Sequence, residues 1–200
     1  MRARVCKRGE RRKRSVQTSG IAAFVLALAT TFKPNWSPFT APLYAAAKGG
    51  LLGAASLMFE LQFPGIVMSS VLLTLGTAGG LLGLYKSGAI EVSDHFRMVV
   101  MTAVTGIMVA YLGSFLLRLV GVKLAFLGGG PVGIGIGLIT CAVASAMLLL
   151  DFDMLERMET SSAPRWMEWY GGFSVLVTLL WMYLEILKLA ARFAQMQRND

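Results

Sequence analysis

The stretch WYGGFSVLVTLLWMYLEILKL, Trp169 to Leu189, decides the fold. It is apolar over about the 20 residues that a helix needs to cross a hydrocarbon core, yet Glu185 lies well inside it. An ionisable side chain at that depth costs at least roughly 2.5 to 3.5 kcal/mol, so it must face a protein interior or a water-filled space. The apolar run before it ends at Leu150 and is closed by Asp151 and Asp153. Chemistry is therefore to be sought in the last third of the chain.

Working outward, four more runs have spanning length: Pro42 to Phe63, Gly65 to Tyr85, Met98 to Leu117 and Pro131 to Leu150. A shorter one, Gly20 to Phe32, reads as a half-span, a tilted short helix or the remnant of a longer element. The connections are short and rich in Pro, Gly, Ser and charge, as in Lys86-Ser87-Gly88 and Thr160-Ser161-Ser162-Ala163-Pro164. The expected fold is all-α: one polytopic transmembrane bundle with five full spans plus a short first helix. Its expected parts are a basic cytoplasmic segment over 1–19, a transmembrane domain over 20–194 and a polar tail over 195–200. Gly49/Gly53, Gly76/Gly80, Gly79/Gly83, Gly129/Gly133 and Gly133/Gly137 place small residues on one helical face, where backbones can approach closely.

With 56% hydrophobic residues and only 15% charged ones, the composition departs from that of soluble domains. The net charge of +8 is concentrated: eight of the 19 basic residues fall within the first 14 positions. That head reads as a cytoplasmic anchor with attraction to anionic lipid. Nucleic acid is not an expected partner, since no basic face with interleaved aromatics accompanies the cluster. The two cysteines, Cys6 and Cys141, form no disulfide framework or metal-ligand spacing.

Asp151 and Asp153 point about 200° apart on a helix, so one of them faces the bundle axis, and Asp151 is the expected one. Lys188, three residues after Glu185, can neutralise it locally. The competing reading brings Asp151 and Glu185 together across two helices. In low dielectric two such carboxylates cannot both ionise cheaply and would share a proton, or accept a Ca²⁺ ion through their oxygens. Lys48 is expected to snorkel or pair inward, Glu60 to reach the interface and His95 to lie exposed in a polar loop. No nucleophile with a base, zinc triad or phosphate-binding loop appears, so the chain is not expected to be an enzyme. Paired-aspartate intramembrane proteolysis would need an Asp where Glu185 stands.

Several strings resemble the bacterial, YccA-like branch of the Bax inhibitor (transmembrane BAX inhibitor motif, TMBIM) family. They are Phe32-Lys33-Pro34-Asn35-Trp36-Ser37-Pro38, Leu84-Tyr85-Lys86-Ser87-Gly88, Leu150-Asp151-Phe152-Asp153, and Glu168-Trp169-Tyr170-Gly171 leading to Leu180-Trp181-Met182-Tyr183-Leu184-Glu185. The resemblance covers about residues 20 to 194. It implies seven helices with the last one central, and an acidic pair on the final two helices that senses pH and gates a Ca²⁺ leak. Asp151 and Glu185 match that pair, with Asp153 beside it, and Lys33 is the nearest match to a basic residue that locks it. The family's first helix is replaced here by the arginine-rich head, and Lys48 stands where this branch carries an acid. The resemblance further implies a multi-pass protein of the cell membrane, the inner membrane in a bacterium. It also implies roles in stress and cell-death control, with an FtsH-like membrane protease as a partner. Calcium or protons are the expected transported or bound ions, and no other cofactor is expected.

Overall fold

The computed structural model describes residue 27 and residues 29–119, 130–161 and 163–199. The basic head, Cys6 and most of Gly20 to Phe32 lie outside the described residues. A 3-10 turn at Pro34–Trp36 leads into helix α1 (Ser37–Gln62), followed by α2 (Ile66–Lys86), α3 (Asp94–Leu119), α4 (Gly130–Thr160) and α5 (Arg165–Asn199). Among the described residues there is no strand, and the chain is an all-α helical bundle.

Helices begin where local chemistry satisfies their free N–H groups. Gly65, at φ 86°, turns the chain between α1 and α2, and Glu60 accepts hydrogen bonds from the N–H groups of Gly65 (2.6 Å) and Val67 (3.1 Å). Glu60 thus caps α2, a job with a stated partner beyond merely reaching the interface. The segment Ser93 to Arg97, expected as a loop, is instead the start of α3, with the Ser93 hydroxyl accepting the Phe96 N–H at 3.2 Å. His95 is exposed on that first turn. Helices α4 and α5 run beyond their apolar cores, so Asp151 and Asp153 lie inside α4 and the expected polar tail continues α5.

Among the described residues four helices are long and apolar enough to cross a membrane: Ile66–Lys86, Asp94–Leu117, Val132–Thr160 and Arg165–Arg198. The fifth expected span, in α1, has the length at 26 residues but not the hydropathy, because Lys48, Glu60 and its hydroxyl-bearing residues dilute it. Large apolar side chains turn outward on α2 and α3, such as Leu72, Leu73, Met108 and Val109, each more than half exposed. Such an outward apolar surface suits lipid. The chain is a multi-pass membrane protein.

Helix α5 is the axis of the bundle, with α4, α2 and α1 packed along it. Glu185, Ile186 and Leu187 are all buried, and three successive helical residues sweep about 200°, so neighbours surround that turn. The core between α4 and α5 is Ala144, Leu148, Met182 and Ile186. Helix α1 is fastened to α5 by the Ser37 hydroxyl donating to the Trp166 carbonyl at 2.7 Å, the edge-on Tyr44–Phe173 pair at 5.0 Å, and Ser56 against Tyr183 at 2.6 Å. Few of the expected glycine stripes mediate packing within the chain. A Cβ added at Gly49, Gly53, Gly76, Gly79, Gly80 or Gly83 meets nothing within 4 Å. At Gly137 it would meet Leu189 at 3.0 Å, and at Gly171 it would meet Leu155 at 2.4 Å, so close approach is confined to the α4–α5 seam.

Candidate functional site

The antiparallel α4–α5 seam holds both acids singled out in the sequence. Its register is marked by the Ser145 hydroxyl, 3.6 Å from the Met182 sulphur. From that level Asp151 lies six residues up α4 and Glu185 three residues the other way along α5. At 1.5 Å per residue they are about 13 Å apart along the bundle.

The two therefore do not share a hydrogen bond, and the expected direct carboxylate pair is not formed in this conformation. Antiparallel register is the reason. Side chains on α4 above Leu148 meet α5 at its beginning, and Glu185 comes level with the other half of α4.

Asp151 is 2% exposed. The Ser174 hydroxyl donates to its Oδ1 at 2.5 Å, and buried Thr178 follows one turn along the same face of α5. Its Oδ2 is buried with no hydrogen-bond partner. Since buried polar atoms are overwhelmingly paired, an orphaned carboxylate oxygen is a departure that calls for a reason. Asp151 lies on a cavity of about 490 Å³, whose wall also includes Arg97, Arg157, Tyr170 and Ser174.

Asp153, on the other side of α4, is buried as well but paired with two arginines. Arg97 of α3 reaches its Oδ2 at 2.5 Å and Arg157, one turn on, reaches the same oxygen at 2.8 Å. It anchors α3 to α4 and holds both arginines of the cavity wall.

Glu185, 3% exposed, accepts hydrogen bonds from Lys188 at 2.5 Å and from the Tyr111 hydroxyl at 2.8 Å. The Lys188 ammonium also lies 5.4 Å from the Tyr111 ring centroid. A second cavity, of about 260 Å³, opens here between Tyr111, Ser114, Thr140, Glu185, Lys188 and Arg192. Arg192 bonds the Gly133 carbonyl across the seam.

The local ion pair foreseen for Lys188 is thus present. Lys33 is elsewhere: it is exposed, with its ammonium 4.9 Å from the Trp36 ring centroid, and bonds to neither acid. Among the described residues no group of three or more His, Cys, Asp or Glu side chains is placed to hold a metal ion.

Sequence reading did not find Tyr111, Ser174 or Arg97 as partners of the acids. They come from helices whose register the sequence leaves open. The Asp153 to Arg157 pair was readable, being four residues apart on one helix.

The arrangement is two cavities, a largely apolar one with Asp151 on its wall and a more polar one with Glu185 on its wall, separated by the apolar layer of Ala144, Leu148 and Met182, all 0% exposed. Comparison with known proteins matches residues 5–195 to the family model described as Bax inhibitor 1 like. No curated protein and no solved structure matches the chain.

Proposed function

Starting from a chain that belongs to the Bax inhibitor 1 like family, we propose that it is a proton-responsive cation leak of the cell membrane, passing Ca²⁺ or protons. The observation that carries this reading is Asp151, a carboxylate buried in a spanning helix with one oxygen unpaired, on the wall of a cavity that also carries Arg97, Arg157 and Ser174. Intramembrane acids kept at such a cost mark ion and proton routes.

Asp151 and Glu185 act as two stations on the α4–α5 seam, and the layer of Leu148 and Met182 between them is the closed gate. When ionised, Asp151 attracts a cation into its cavity. When protonated, it is a neutral hydrogen-bonding group that gives the cation nothing. Cation flux therefore rises with pH. The charged groups facing Asp151 are Arg97 and Arg157, both held on Asp153, while Glu185 is faced by Lys188, Tyr111 and Arg192.

The test is Ca²⁺ efflux from proteoliposomes holding the purified chain. Efflux should increase between about pH 6 and about pH 8, and Asp151→Asn with Glu185→Gln should flatten that profile. Vesicles with no flux at any pH would overturn the leak. They would move the reading to a non-transporting partner of a membrane protease or stress pathway.

A further inference from the structure

The cavity beside Asp151 has a second chemistry besides charge. Five of the chain's 12 methionines line it: Met101 from α3, Met147, Met154 and Met158 from α4, and Met167 from α5. Three helices thus contribute thioethers to one space of about 490 Å³, with Asp151 among the residues of its wall. Four of the five are partly buried, and Met101 is 46% exposed toward the outer side.

Methionine often only fills irregular gaps. Here five thioethers share one cavity wall with a buried carboxyl group, and that combination points to a cation. Thioether sulphur is a soft ligand that selects copper(I), whereas Ca²⁺ needs about six to eight hard oxygens. Asp151 supplies one such oxygen. The two arginines on the wall are turned onto Asp153, and these three side chains together with Asp151 sum to zero charge, so a monovalent ion leaves less excess charge in the cavity than a divalent one.

We infer that this cavity is a binding site for a soft monovalent metal ion, copper(I) or its redox-inert analogue silver(I), held by methionine sulphurs beside Asp151. The site is independent of whether the chain leaks calcium. It is tested by binding without an ion gradient, so either reading can fail alone.

The experiment titrates silver(I) into the full chain in detergent, followed by calorimetry. It is done in a Cys6→Ser, Cys141→Ser background so that no thiol competes. One silver ion per chain is expected, not displaced by Ca²⁺. Met147→Leu with Met154→Leu, a change that nearly conserves volume, should weaken binding by about tenfold or more. Asp151→Asn should weaken it by a smaller factor. Met68→Leu with Met108→Leu, on the lipid-facing surface, should leave it unchanged. Selective ¹³C-methyl labelling of methionine gives a readout that needs no variant, since silver(I) should shift the Met147 and Met154 signals first. No binding, equal weakening by the lipid-facing pair, or unchanged affinity in the cavity variant would each overturn the site.

Discussion

The two ends of the α4–α5 seam each bury a carboxylate, and they treat it in opposite ways. Glu185 is held by an ammonium and a phenol, so its charge is balanced within one turn of helix. Asp151 has only hydroxyl neighbours, Ser174 donating to Oδ1 and Thr178 one turn on, with no cation on it and nothing at Oδ2. The difference is one of compensation: Glu185 is stabilised by its surroundings, whereas Asp151 is tolerated by them. A buried ion that is only partly satisfied costs stability and persists where something other than stability retains it.

The largest expected effect tests the layer that keeps these ends apart. Leu148→Ala removes a 0% exposed side chain from the centre of the seam and should cost about 2 to 5 kcal/mol in denaturation from mixed micelles. It should also raise basal cation flux by opening a route between the cavities. A destabilised chain with unchanged flux would show that the two ends do not communicate through this layer.

Next comes the balanced end. Lys188→Met keeps the aliphatic stem but leaves Glu185 with the Tyr111 hydroxyl alone, at a cost of about 1 to 3 kcal/mol, measured in the same way. Ser174→Ala at the other end deletes a single hydrogen bond and should cost about 0.5 to 1.5 kcal/mol. Equal losses at the two positions would erase the contrast between balanced and tolerated acids.

How far the sequence carried this reading depended on what kind of information each feature needs. Helix number and type followed from apolar runs, because lipid leaves a spanning backbone little choice but helix. Asp151 and Glu185 stood out for the same reason, as charges at hydrocarbon depth. Helix ends did not follow: α4 continues past Leu150 to Thr160 and α5 starts at Arg165, since polar helix outside lipid has no hydropathy signal. The register between α4 and α5 was also hidden. It is set by contacts such as Ser145 with Met182 and Arg192 with the Gly133 carbonyl, more than 30 positions apart in the chain. Pairing Asp151 with Glu185 assumed a register about 13 Å away from the observed one. The methionine lining of the upper cavity was invisible for the same reason, as its members come from three helices.

The smallest stability effect is the one that decides most. In Asp151→Asn the side chain keeps its shape, and the Ser174 hydroxyl can still donate to an oxygen at the Oδ1 position. What is lost is a charge that burial penalises and the extra strength of a charge-assisted hydrogen bond. The NH₂ that replaces Oδ2 also finds no partner there, but as a neutral group it costs less to bury than the charge did. These contributions oppose one another, so the net change in stability should lie within about 1 kcal/mol of zero, while the pH dependence of flux is lost. Glu185→Gln should behave differently, because it strands the Lys188 ammonium beside a neutral group in a half-buried site. If Asp151→Asn instead destabilised the chain by more than about 2 kcal/mol, the acid would be holding α4 to α5 as firmly as any core contact. Asp151 would then be a fastening like Glu185, and the asymmetry between the two ends would carry no functional meaning.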